Sequence, residues 1–154
     1  MIKNEQQMSI TEEKLRGMTT QLARLRKKYA DDAEYDFYSE GTRNHIEQMK
    51  RELQYYRLAK RGDVDALLRS WHKNGAIRPH HKDQLCLGDL ISLLRVARGL
   101  TQAELAERLG LEQAHIARYE RDDYSGYTVE TFDRILNALG MRLTVKNQGH
   151  SGAA

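Results

Sequence analysis

Apolar residues recur at spacings of three and four along two stretches of the first 60 residues, the pattern of helices with one apolar face. They predict a helix over residues 10–29 and another over 41–61. The two seams consist of Leu15, Met18, Leu22, Leu25 and Tyr29, and of Ile46, Met49, Leu53 and Tyr56. Such helices are not stable singly. Residues 1–62 are therefore predicted to form a helical hairpin or a dimerisation coiled coil with a second chain, although two heptads are fewer than a coiled coil usually has.

Capping and turn-forming residues predict where these two helices begin and end. Ser9 and Glu12 have the spacing of a capping box for the first helix, and Ser39 is the predicted cap of the second. The acidic and aromatic stretch over residues 31–38 is expected to interrupt the helical pattern. Gly62 is expected to end the second helix.

The segment 63–83 predicts a short helix and then a basic linker. Asp63 is the predicted cap, and the apolar residues that follow it have helical spacing. Gly75 and Pro79 then punctuate a polar stretch, which is typical of a linker. The sequence therefore predicts a domain boundary near residue 80.

Residues 84–146 predict a bundle of short helices. Thr101 and Glu104 have capping-box spacing at the start of one of them, and Gly110 is expected to end it in the left-handed conformation. A second short helix follows at once. Two short helices joined by a turn that contains glycine form a helix-turn-helix. The four helices of this domain are predicted at 87–99, 101–109, 112–122 and 129–139.

The end of the chain leaves the helical pattern. Apolar and polar residues alternate over 141–145, which predicts one short strand. A lone strand has unpaired edges, so it is expected to pair with its own copy in a dimer or with a partner strand. Residues 147–154 are rich in glycine, serine and alanine and are expected to be disordered. The predicted fold class is all-α with one short C-terminal strand.

Composition and charge narrow the class of protein. No apolar run approaches the roughly 20 residues that span a bilayer, and the N-terminus has no signal-peptide core, so the cytoplasm is the expected compartment and no membrane is expected as a partner. The single cysteine, Cys86, excludes an internal disulfide framework. Residues 57–86 hold seven basic and three acidic side chains, whereas residues 87–154 hold eight and nine. Attraction of the helix-turn-helix to phosphate would therefore have to come from locally placed arginines, from helix N-termini and from the basic segment 57–86.

No constellation of residues indicates catalysis, so neither enzyme activity nor a cofactor is expected. His72, His80, His81 and Cys86 do not have the spacing of a zinc site. The acidic residues between 31 and 40 lack an accompanying nucleophile, metal motif or phosphate-binding glycine loop, so a solvated turn is the better interpretation.

Over residues 87–140 a helix is followed by Gly-Leu-Thr-Gln-Ala-Glu-Leu-Ala-Glu-Arg-Leu-Gly, a helix ending in Arg-Tyr-Glu, a loop, and a helix ending in Ala-Leu-Gly. This order resembles the phage repressor and Cro type of helix-turn-helix, often called the Xre family. The resemblance implies a lambda-repressor-like domain that binds DNA. It also implies a buried ion pair between Arg95 and Glu120, which would lock the first helix of the domain to the recognition helix.

The resemblance also implies which side chains meet DNA. They are Thr101, Gln102, Gln113, Ala114, His115 and Arg118. Gln102 would lie against a phosphate, and the residues of the second motif helix would face the major groove, where glutamine suits adenine, alanine the thymine methyl group and arginine guanine. Glu112 departs from the family, which usually has serine or threonine there. Its carboxylate is favoured by the helix dipole but is repelled by phosphate.

The sequence therefore predicts a sequence-specific transcriptional regulator that binds double-stranded DNA as a homodimer and acts as a repressor. Two alternatives stay open. The stretch Gly-Met-Arg-Leu-Thr-Val at residues 140–145 resembles the strand that follows this domain in some antitoxins. The first alternative is thus an antitoxin that represses its own operon and binds a toxin through the N-terminal hairpin. The second is a helical interaction module that has lost DNA binding.

Overall fold

Seven α-helices make up the part of the chain that the computed structural model describes, which is residues 1–29, 31–73 and 87–142. The helices are α1 (Glu5–Lys28), α2 (Asp32–Lys60), α3 (Val64–Lys73), α4 (Leu87–Ala97), α5 (Gln102–Leu109), α6 (Gln113–Arg121) and α7 (Val129–Ala138). None of the described residues lies in a strand, so this part of the structure is all-helical. None of the seven helices is long and apolar enough to cross a membrane.

α1 and α2 pack side by side and run antiparallel, and this pair is called the hairpin below. Lys60 at the end of α2 pairs with Glu5 at the start of α1 at 2.9 Å. At the opposite end of the hairpin, Arg26 of α1 pairs with Asp32 of α2 at 2.6 Å. Exposed ion pairs of this kind contribute little to stability, so the apolar seam between the two helices is the main source of their association.

The apolar seam is buried more deeply on α2 than on α1. Ile46, Met49 and Leu53 of α2 are at most 8% exposed, whereas α1 has no fully buried residue. Towards its C-terminal end, α2 also packs against α3 and α4. The ring of Tyr55, for example, lies 5.5 Å from that of Trp71 on α3. α2 is therefore the central helix of the N-terminal half.

Both hairpin helices begin earlier than the sequence predicted. The caps are Asn4 and Asp31, whose side chains accept hydrogen bonds from amides in the first turn of α1 and of α2. The predictions of Ser9 and Ser39 as caps were wrong, and so was the interruption over residues 31–38, which are mostly helical. Carboxylates at the cap and in the first turn are favoured by the helix dipole, so the acidic stretch starts a helix and does not break one.

One apolar core runs from the hairpin into the C-terminal helices. Tyr56 and Ala59 near the end of α2 are 2% and 0% exposed, and they belong to the same cluster as Ile91 and Leu94 of α4. Ile2, which precedes α1, is 2% exposed in this cluster as well. The hairpin is therefore packed against the C-terminal helices through a common core.

The C-terminal helices pack around α5 and α6, since α5 contacts both α6 and α7, and α4 contacts α6. Gly110 ends α5 in the left-handed conformation with a φ of 66°, as predicted. At Gly88 a Cβ atom would overlap the carbonyl group of Asp123. The missing side chain thus lets the loop that follows α6 rest directly on α4.

Several predictions concern residues that lie outside the described ranges. Of the predicted strand at 141–145, only Met141 and Arg142 are described, and neither is in a strand. The linker predicted around Gly75 and Pro79 and the tail at 147–154 also lie outside. The domain boundary near residue 80 therefore stays a prediction.

Candidate nucleic-acid interface

The start of α5 is fixed by a reciprocal pair of hydrogen bonds. The Thr101 hydroxyl accepts from the Glu104 amide at 3.1 Å, and the Glu104 carboxylate accepts from the Thr101 amide at 2.7 Å. The backbone and side-chain hydrogen bonds from Thr101 lower the pKa of Glu104, which keeps the carboxylate charged. The predicted capping box is confirmed. It holds the first turn of α5, which begins with Gln102.

A buried ion pair joins α4 to α6. The Arg95 guanidinium donates two parallel hydrogen bonds to the Glu120 carboxylate, one of them at 2.9 Å between Nη2 and Oε2. The two side chains are 7% and 1% exposed. Arg95 also donates to the carbonyl of Leu100 at 2.7 Å. The ion pair that the family resemblance implies is therefore present. Loss of either partner would leave a buried charge uncompensated.

Gln102 extends this network to the start of α5. Its side-chain amide donates to Oε2 of Glu120 at 2.9 Å, and the side chain is half-buried. The hydrogen bond ties one N–H of Gln102 to α6 and leaves its other N–H and its carbonyl oxygen for a ligand. A side chain that is already held in one conformation loses less entropy when it binds.

α6 has one buried face and one exposed face. Ile116 is 0% exposed and anchors the helix in the core, whereas Gln113, Ala114 and Arg118 are exposed. Ala114 and Arg118 are four residues apart and share a face. His115 is half-buried, and its Nδ1 atom is buried with no hydrogen-bond partner among the described residues. The structure thus brings three of the predicted residues to the surface of α6 and turns His115 partly inward.

The N-terminus of α6 carries a carboxylate that does not cap the helix. Glu112 is the N-cap residue and is exposed, but its side chain makes no cap hydrogen bond. The amides of the first turn are thus without a side-chain cap, and such amides are a binding site for phosphate. The Thr101 hydroxyl at the start of α5 is exposed too, but it is occupied by the capping box.

Most arginines near α6 have internal partners, and Arg118 is an exception. Arg108 donates to the carbonyl of Ala138, and Arg134 donates to that of Leu109, so both tie α5 to α7. Within the described ranges, Arg118 has neither an ion pair nor a hydrogen bond from its side chain. It is therefore the arginine of α6 that is free to bind a base or a phosphate.

Lys3 contacts the end of α6, although no pattern in residues 1–8 predicted it. Its ammonium group donates to the carbonyl of Glu120 and pairs with Asp123 at 2.8 Å. A cation at a helix C-terminus is favoured by the helix dipole. This contact joins residues far apart in the sequence, so no local signal could have revealed it.

Comparison with known proteins identifies relatives of this region. Residues 91–145 match the family model described as helix-turn-helix. Antitoxin HipB of Escherichia coli K12 is 36% identical over 59 residues, which are 38% of this chain and 66% of that protein. The immunity repressor protein of Bacillus phage phi105 is 33% identical over 60 residues, which are 39% of this chain and 41% of that protein. Antitoxin HipB of Escherichia coli O6:H1 is 34% identical over 59 residues, which are 38% of this chain and 62% of that protein.

The similarity is confined to part of each protein. The chain spans less than two thirds of the length of each of these relatives. The hairpin lies outside the residues that match the helix-turn-helix family. No solved structure matches the chain significantly.

Proposed function

We propose that the protein is a sequence-specific DNA-binding transcriptional regulator that acts as a dimeric repressor, and the match of residues 91–145 to the helix-turn-helix family model supports this. The observation that carries the proposal is the two-sided character of α6. Gln113, Ala114 and Arg118 are exposed, while the buried ion pair of Glu120 holds the other side of the helix. A helix held in this way can enter the major groove without losing its contacts to the core.

The exposed side chains of α6 match the chemistry of base edges. Arg118 donates to O6 and N7 of a guanine, Gln113 pairs with N6 and N7 of an adenine, and Ala114 contacts a thymine methyl group. Each bidentate contact contributes about 1–3 kcal/mol of discrimination against a wrong base. Gln102, held by Glu120, lies against a phosphate and fixes the position of α6 in the groove.

Bulk charge contributes little to binding, since residues 87–154 hold eight basic and nine acidic side chains. Phosphate contacts come from backbone amides at the helix N-termini and from single arginines. A dimer places two recognition helices in successive major grooves, about 34–36 Å apart. The bound dimer covers the promoter and represses transcription by occlusion.

An antitoxin is the second candidate, and the similarity to antitoxin HipB favours it. In this role the same domain represses its own operon, and the hairpin binds a toxin. A neighbouring gene for a small toxin, whose product co-purifies with the protein, is the observation that separates this candidate from a repressor without a toxin.

Selection of bound sequences from random DNA with the purified protein tests the DNA-binding role. The expected result is a motif of two symmetric half-sites, bound with an affinity that falls steeply as salt rises. Recovery of unrelated sequences, or no retained DNA at low salt, would exclude a sequence-specific regulator. That result would favour the interaction module.

A further inference from the structure

The hairpin contains a surface groove that the DNA-binding role does not use. It lies between α1 and α2 and has a volume of about 560 Å³. Leu15 of α1 and Leu53 and Leu58 of α2 form its apolar floor. Leu53 is buried, whereas Leu15 and Leu58 are half-buried and so offer apolar surface that no part of the described chain covers.

The rim of the groove carries a surplus of positive charge. Four cations line it, namely Arg16, Lys50, Arg57 and Arg61, against the single carboxylate of Glu12. Arg57 pairs with Glu12 at 2.7 Å, and Lys50 pairs with a glutamate of its own helix. Arg16 and Arg61 are exposed, and no carboxylate of the described residues pairs with either. These two guanidinium groups on opposite walls are therefore available to an anionic ligand.

The groove is elongated along the helix axes. Its lining residues on α2 and at the C-cap of that helix run from Lys50 to Arg61 and recur at spacings of one and three. At 1.5 Å per residue this stretch is about 17 Å long, which is three helical turns. An extended ligand with a repeating apolar face fits this shape better than a compact one does.

We propose that the groove binds an acidic amphipathic helix of a partner protein. Apolar residues of that helix, three and four positions apart, pack on Leu15 and Leu58 and complete a three-helix bundle with α1 and α2. Its flanking carboxylates meet Arg16 and Arg61, because guanidinium groups bind carboxylates bidentately. The groove is cationic, so a basic helix is repelled.

The far end of the hairpin of a second copy fits the groove less well. The opposite end of the hairpin, residues 24–43, holds five basic and five acidic side chains and so offers no net negative charge. The inference adds a binding surface to the antitoxin candidate. It depends on that candidate only for the identity of the partner, which would be the toxin. The chemistry of the partner comes from the hairpin alone, and DNA binding is read out separately in the test.

The test uses the full-length protein and a labelled synthetic peptide of about 18 residues, which is five helical turns. The peptide has leucines at helical spacings of three and four and glutamates elsewhere. A second peptide keeps the leucines and replaces each glutamate by lysine. Fluorescence anisotropy is expected to show binding of the acidic peptide, and an affinity for the basic peptide that is weaker by at least about tenfold.

Two double variants with the same change in net charge locate the binding site. Arg16→Glu with Arg61→Glu alters the groove, whereas Lys14→Glu with Arg51→Glu alters exposed cations that do not line it. The first variant is expected to bind the acidic peptide about tenfold more weakly, and the matched control within about twofold of the unchanged protein. Circular dichroism checks that both fold, and binding to the selected DNA is measured in parallel.

Three results would overturn the inference. The acidic peptide does not bind, or the two double variants weaken its binding equally, so that net charge alone explains it. Alternatively, sedimentation shows that the groove variant converts a dimer into a monomer while the control does not, which makes a second copy the occupant. If neither the unchanged protein nor either double variant binds DNA while the acidic peptide still binds, the proposed regulator is contradicted. The inferred role of the groove is then unaffected.

Discussion

Two arginines of the helix-turn-helix domain have opposite environments and therefore opposite roles. The guanidinium of Arg95 is buried and fully engaged with Glu120 and Leu100. Arg118 is exposed, with no side-chain partner in the described ranges. We therefore expect substitution of Arg95 to reduce stability and substitution of Arg118 to reduce DNA binding.

Arg118→Ala is expected to reduce discrimination between the selected operator and one with its contacted guanine replaced. The substitution removes a bidentate contact that contributes about 1–3 kcal/mol. The ratio of the affinities for the two operators should therefore fall by about 5- to 150-fold. Gel retardation with the two operators measures it. Arg69→Ala, at an exposed residue of α3, is the matched control and should leave discrimination unchanged. Unaltered discrimination in Arg118→Ala would contradict the assigned base contact.

Glu112→Ser is expected to strengthen DNA binding and to raise the melting temperature. The substitution removes a carboxylate from the end of α6 that we propose to face phosphate, and it supplies a hydroxyl that can cap the helix, which Glu112 does not do. Glu112→Gln separates the two effects, because it removes the charge without providing a good cap. A fall in operator affinity for both variants would show that the carboxylate is not an electrostatic obstacle.

At the scale of helices, local signals predicted the C-terminal domain well and the start of each hairpin helix poorly. Thr101 and Gly110 act within one turn of their own helix, so the sequence alone revealed them. By residue type, Ser39 is as good a cap as Asp31. Ser39 is 0% exposed on the buried side of α2, however, and this burial depends on tertiary packing that the local sequence does not reveal. The contact of Lys3 with the end of α6 is likewise invisible to any periodicity.

Gly88→Ala is expected to destabilise the protein, because the added Cβ would overlap the backbone carbonyl of Asp123 and push the loop after α6 away from α4. Overpacking of this kind costs about 1–3 kcal/mol, which chemical denaturation can measure. Gly41→Ala is the matched control, since a Cβ there meets nothing within 4 Å. In the helix interior that control should stabilise by about 0.5–1 kcal/mol. Equal effects of the two substitutions would contradict the close approach at Gly88.

At the scale of the whole molecule, the continuous core predicts that hairpin and helix-turn-helix unfold together. Glu120→Gln leaves Arg95 without its counter-charge and is expected to destabilise by about 3–5 kcal/mol. The single tryptophan, Trp71, lies on α3 beside α2, so its fluorescence reports on the N-terminal half. In the Glu120→Gln variant, the unfolding midpoint measured by Trp71 fluorescence should fall by the same amount as the midpoint measured by far-ultraviolet circular dichroism. A Trp71 transition that stays in place while the helical signal splits into two steps would show two independent units.

The core shared by α2 and α4 also limits which changes the chain tolerates in evolution. Tyr56 and Ala59 of the hairpin belong to the same core as Ile91 of α4, so neither part has a complete surface of its own. Recombination that exchanged the hairpin for an unrelated one would expose apolar residues on both sides of the junction. Replacement of the hairpin is therefore expected to destabilise the C-terminal helices, whereas single substitutions on the exposed surface of the hairpin leave the shared core intact.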